Sequence, residues 1–160
     1  MSRFCSPAPL LADYLAFVTL LLQVLFSGYA KDGGLYFPES IPKLSAEDLK
    51  EWSSLSYPQL VLRVMGMFIG EEDIPKDDLE RLISQAFAAF KDPEKPINIA
   101  SLKASLNVAE MWHGPTLAFK DLALGVVGQL YNYFLERAQR HMTVLIGRYL
   151  RPYFQLIHIY

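Results

Sequence analysis

A helix-rich α/β fold is predicted for this 160-residue chain by three features. Apolar residues recur at helical period over 79–90, serines stand where helices should open at Ser45 and Ser56, and short apolar runs bounded by turn residues have the length of strands. Hydrophobic residues make up 52% and charged residues 20%, the reverse of the balance that keeps a chain disordered.

In the helical stripe, Leu79, Leu82, Ile83, Ala86, Phe87 and Phe90 share one face, so a helix is expected from Pro75 onward. Asp77, Asp78 and Glu80 fall in its first turns, where they suit the positive end of the helix dipole. They read as a solvated helix start, and no metal site is predicted. Ser45 with Asp48 forms a capping box for a short helix to about Trp52. Ser56 caps the next helix, with Pro58 in its first turn, and that helix is expected to run to Ile69 and stop at Gly70.

Strands are expected at 35–37, 97–100, 106–112 and 142–146. The last, MTVLI, is a continuous apolar run, as in a strand buried on both faces. Between the last two strands, a helix is expected over 118–139, with Gly125 and Gly128 leaving room for close packing. Leu82, Phe87, Leu122, Val126, Leu130, Val144 and Ile146 are the expected core. Asp32-Gly33-Gly34 is a turn signal, because glycine reaches positive φ without a steric penalty.

The N-terminal run over 10–26 is apolar but carries Asp13, Thr19 and Gln23 and is shorter than a membrane span needs. A buried helix is the favoured reading. The alternatives are a signal peptide, with Arg3 before the apolar stretch and Gly28 and Ala30 as small residues near its end, or a membrane anchor. The formal net charge is −2, so the basic excess of a nucleic-acid binder is missing and no nucleic-acid partner is predicted. Cys5 is the one cysteine, which rules out an internal disulfide and a cysteine zinc cluster and suits a reducing, cytoplasmic setting.

The stretch EMWHGPTLAFKDL, residues 110–122, reads as a strand end, a Gly-Pro turn and a helix start. Lys120 is placed near the positive end of that helix, flanked by Leu117, Ala118 and Phe119. The dipole and partial desolvation both favour a neutral amine, the form that attacks a carbonyl carbon. On residue types alone, a surface lysine paired with Asp121 or Glu110 is the more common situation.

HGPTLAFKD resembles the pyridoxal-phosphate lysine motif of threonine synthases and threonine synthase-like proteins. GYAKDGGLYFPE, LSYPQLVLRVMGMFIG and IPKDDLERLISQAF are similar to the N-terminal segments of that family, and the resemblance covers about residues 26–147. It implies the N-terminal domain of a fold-type II enzyme together with the first α/β elements of the next domain. The expected division is an apolar helix in 1–27, divergent from the family, the N-terminal domain in 28–112, the start of the catalytic domain in 113–147, and a divergent tail in 148–160.

The resemblance further implies pyridoxal 5'-phosphate as cofactor and Lys120 as the lysine that both holds it and acts in catalysis. The implied substrate is a small phosphorylated hydroxy-amino acid, O-phosphohomoserine or O-phosphothreonine, with either threonine synthesis or phospho-lyase chemistry following. A homo-oligomer is expected, and a membrane partner is not. His113 is expected to hold the turn by a hydrogen bond, Thr116 to cap the helix, and Asp121 to complement its N-terminus.

Both ends depart from the family. MSRFCSPAPLL replaces the usual opening segment, and after Gly147 the sequence RYLRPYFQLIHIY stands where the family carries a Ser/Thr-Gly-rich turn for the cofactor phosphate. The chain is therefore read as a truncated form, weak or inactive on its own, with a loosely packed tail. The alternative function is a non-catalytic fragment serving as a secreted or intracellular binding or signalling module.

Overall fold

The computed structural model describes residues 20–30, 32–146 and 155–159. The chain divides into two compact units, one running to Arg81 and the other from Leu82, each described in turn.

In the first unit, α1 spans Leu20–Ser27 and ends at Gly28, whose φ of +70° suits a glycine closing a helix. The expected part of the apolar helix before Leu20 lies outside the described residues. The Asp32-Gly33-Gly34 turn forms as predicted. Gly33 lies at φ +83°, its N–H donates to Ala30 O at 2.9 Å, and Gly34 N–H donates to Asp32 Oδ1 at 2.9 Å. No strand forms at 35–37, and Leu35 is 78% exposed.

Helix α2, Ala46–Trp52, has the predicted capping box. Asp48 N–H donates to Ser45 Oγ at 3.1 Å, and Ser45 N–H donates to Asp48 Oδ2 at 2.8 Å. That backbone donor first, and the Ser45 hydroxyl second, hold the Asp48 carboxyl below its usual range. Helix α3, Tyr57–Met65, opens with Ser56 N–H donating to Gln59 Oε1 at 2.9 Å and with Pro58 in its first turn. It ends four residues before the expected Ile69, because Gly66, a poor helix former, takes the C-cap. Ile69 and Ile74 are buried with Leu79, which lies at the start of α4, Lys76–Phe87.

The second unit is built on the rest of the predicted stripe. Leu82, Ile83 and Phe87 of α4 and Phe90 beyond it are buried, with the Phe87 and Phe90 ring centroids 5.4 Å apart. Helix α5, Asp121–Arg137, buries Leu122, Val126, Leu130, Tyr133, Phe134 and Leu135. A Cβ on Gly125 would lie 3.2 Å from Ala86 O, so the two helices approach closely at this glycine. Gly128 has no such role, since open space surrounds its Cβ position.

Strand β1, Asn98–Lys103, pairs antiparallel with β2, Leu106–Glu110, in the register Ile99↔Ala109 and Ala100↔Val108, with an irregularity between Ser101 and Lys103. Strand β3, Met142–Ile146, falls where predicted but is not buried on both faces. Thr143 is exposed and Val144 only half-buried, because the strand pairs antiparallel with β4, Gln155–Ile159, in a two-stranded ribbon. The expected burial of Ile146 concerns a side chain outside the described set. Residues 155–159 form a strand, held by backbone pairing along one edge to 142–146, while how tightly the tail packs concerns side chains outside the described set. Among the described residues no helix is long and apolar enough to cross a membrane.

Candidate active-site lysine and its turn

Strand β2 delivers the chain to the turn through Glu110. Its register partner across the ribbon is Asn98, whose Nδ2 donates to Glu110 Oε2 at 2.9 Å. His113 Nε2 lies 2.8 Å from the same oxygen. This is the structural hydrogen bond expected of His113, with Glu110 as the partner. The Asn98 amide first and His113 second hold the Glu110 carboxyl below its usual range.

A carboxylate lowered in this way favours the folded state when ionised. The contribution is present above the ordinary carboxylate range and is lost as the pH falls through the lowered value. Asp48 carries the same sign. The thermal midpoint should therefore decline below about pH 4, and Glu110→Gln should remove part of that decline in the same pH series.

Beyond His113 the chain turns sharply. Gly114 is buried, and its carbonyl accepts the Leu117 N–H at 3.0 Å. Leu117 lies at φ +56°, in the left-handed region that leucine seldom enters. Thr116 does not cap α5. Its N–H donates to Asp121 Oδ2 at 2.8 Å and its hydroxyl to Asp121 Oδ1 at 2.5 Å, which leaves Lys120 as the N-cap residue. The helix begins three residues later than expected because residues 115–120 are spent in turns. Asp121 does occupy the first turn, as predicted, and also fastens the loop before it. That second role carried no signal of periodicity, since the bond joins residues five apart across a turn.

Lys120 is exposed, and its carbonyl accepts the N–H groups of Ala123 at 3.1 Å and Leu124 at 2.9 Å. The expected desolvation is not found, because Leu117 and Phe119 are themselves 75% and 62% exposed and do not cover it. The lysine lines neither of two surface grooves. One, of about 490 Å³, lies among Trp52, Leu62 and Leu79, and the other, of about 680 Å³, among Lys91, Lys95 and His113.

Pyridoxal phosphate requires an accessible primary amine and donors for its phosphate. Lys120 meets the first requirement, as a reachable amine on an ordered turn. The start of α5 does not meet the second. The amides of Asp121, Leu122 and Ala123 already donate to the carbonyls of Ala118, Phe119 and Lys120 at 3.1–3.2 Å.

The helical first unit, and a strand and a Gly-Pro turn that present a lysine at a helix start, define a pyridoxal-phosphate enzyme fold of the threonine synthase type. Residues 18–87 match the sequence family described as threonine synthase N terminus. The chain belongs to the threonine synthase family. It is 53% identical over 124 residues to threonine synthase-like 2 of Xenopus laevis, covering 78% of this chain and 26% of that protein. Among solved structures, it is similar to the PLP-bound threonine synthase of Brucella melitensis, with a TM-score of 0.68 and 34% identity over 72% of this chain and 25% of that one. The yeast threonine synthase gives a TM-score of 0.67 and 38% identity, covering 72% of this chain and 23% of that one. The chain thus spans about a quarter of the length of the relatives it matches.

Proposed function

We propose that this chain carries the cofactor lysine, Lys120, of a threonine synthase-like lyase acting on O-phosphohomoserine or O-phosphothreonine. The observation that carries the reading is an exposed amine on an ordered Gly-Pro turn, in the sequence HGPTLAFKD, within a chain of the threonine synthase family. Family membership favours it over a binding or signalling module. Bound pyridoxal phosphate supplies an electron sink for the carbanion formed on the amino acid. Lys120 holds the cofactor and, once released from it, moves protons as general base and acid at its Nζ. Asn98, Glu110 and His113 keep the entry to the turn in place.

The reading includes a homo-oligomer in the cytoplasm. It also retains the division between an N-terminal domain in 28–112 and the start of a catalytic domain in 113–147. Because RYLRPYFQLIHIY stands where the family carries its Ser/Thr-Gly-rich turn, the 160-residue chain alone is expected to be weak or inactive.

The test is to incubate the chain with pyridoxal phosphate, reduce with borohydride and map the modified lysines. Labelling should concentrate on Lys120, and Lys120→Ala should remove it. Labelling spread evenly over the lysines would overturn the assignment. Release of phosphate from phosphothreonine or phosphohomoserine at ordinary enzyme rates would overturn the expected inactivity and leave the lysine assignment standing.

A further inference from the structure

Asp121 follows the lysine, yet both of its carboxylate oxygens are turned to the residues before it. Oδ2 accepts the Thr116 N–H at 2.8 Å and Oδ1 accepts the Thr116 hydroxyl at 2.5 Å. Gly114 packs against the same side chain so tightly that a Cβ there would lie 2.6 Å from Asp121 Cβ. Inside this loop, Leu117 is held at φ +56°, a conformation that persists only where the surroundings over-determine it. Backbone bonds continue without a gap into the helix, from Asp121 N–H to Ala118 O and from Ala123 N–H to Lys120 O.

We infer that Asp121 is a positioning residue for Lys120: its carboxylate, bound to both donors of Thr116 and seated against Gly114, holds the turn closed and fixes where the lysine leaves the backbone. The inference rests on the reading of Lys120 as the cofactor lysine. An unclamped loop would let the amine sample many positions, and a displacement of about 1 Å can lose about a hundredfold in rate. Charge-assisted bonds are the stronger class, so two of them from one carboxylate can outweigh the strain stored at Leu117.

Two measurements on the 160-residue chain test this. The first is the share of borohydride-trapped pyridoxal phosphate found on Lys120 relative to Lys91, Lys95 and Lys103 of the same molecule. The second is amide hydrogen exchange at Thr116. Asp121→Ala removes both acceptors and should reduce the Lys120 share at least about fivefold and speed Thr116 exchange about tenfold, with the other lysines unchanged. Thr116→Val removes the hydroxyl half of the clamp, should reduce the share by less, and should add little to Asp121→Ala. Thr116→Ser keeps both donors and should keep the original share, which a general loss of stability would not produce.

An unchanged Lys120 share in Asp121→Ala overturns the inference, as does unchanged Thr116 exchange. Should Asp121→Ala fail to fold, the Lys120 share in Thr116→Val decides. Should the unsubstituted chain show no preference for Lys120, the reading of the lysine falls separately. The same variants compared by trace acetylation with acetic anhydride then decide the positioning.

Discussion

Phe87→Ala is expected to lower the unfolding free energy by about 3–5 kcal/mol. Phe87 is 1% exposed and its ring packs on Phe90, so truncation removes a full aromatic contact and leaves a cavity that only partly relaxes. It stands beside the close approach of Ala86 to Gly125, which leaves the helix backbones little freedom to collapse into the space. Leu130→Ala, on the buried face of α5, should cost about 2–5 kcal/mol for the same reason. Ser84→Ala, on the exposed face of α4, should stay within about 0.5 kcal/mol. Chemical denaturation of the three variants checks the set. A loss under about 1 kcal/mol for Phe87→Ala would contradict its burial.

Gly114→Ala should be destabilising by about 1–3 kcal/mol although it adds a single methyl group. The new Cβ would meet the Cβ of Asp121 at 2.6 Å, and that atom is fixed to the first residue of α5. Either the helix start shifts or the carboxylate leaves Thr116. Removing the obstruction should recover part of the loss. In a denaturation cycle, Gly114→Ala combined with Asp121→Gly should cost less than the sum of the two single changes. Strict additivity would show that the two residues do not press on each other.

The sequence made some elements plain because their cause is local. The stripe of Leu79, Leu82, Ile83, Phe87 and Phe90 follows from helical period alone, and all five are buried. Ser45 and Asp48 cap each other within one turn, and Gly33 takes a positive φ that a residue with a Cβ would resist. What escaped depends on partners distant in sequence. Leu35, Tyr36 and Phe37 have the composition of a strand, but among the described residues only the adjoining Pro38 takes part in a bridge and no strand forms at 35–37. Residues 155–159 had no pattern worth noting until 142–146 supplied a partner. The motif around Lys120 was recognisable by its letters. The exposure of Lys120 agrees with what its residue type alone suggests, but the Thr116–Asp121 clamp was not legible, since it follows from a turn whose path no periodicity describes.

The two ribbons bear on how the protein behaves in concentrated solution. Each sheet among the described residues has only two strands, so each strand keeps one outer row of amide and carbonyl groups. Ile99, Leu102 and Leu106 are exposed beside such a row, and a net charge of −2 sets up little mutual repulsion between molecules. Strand-to-strand addition between copies is therefore the natural route to self-association, with Lys103 at the end of β1 and Glu110 at the end of β2 as the charged residues opposing it. Precipitation should then respond to a further charge placed on the hairpin sooner than to any change in the helices.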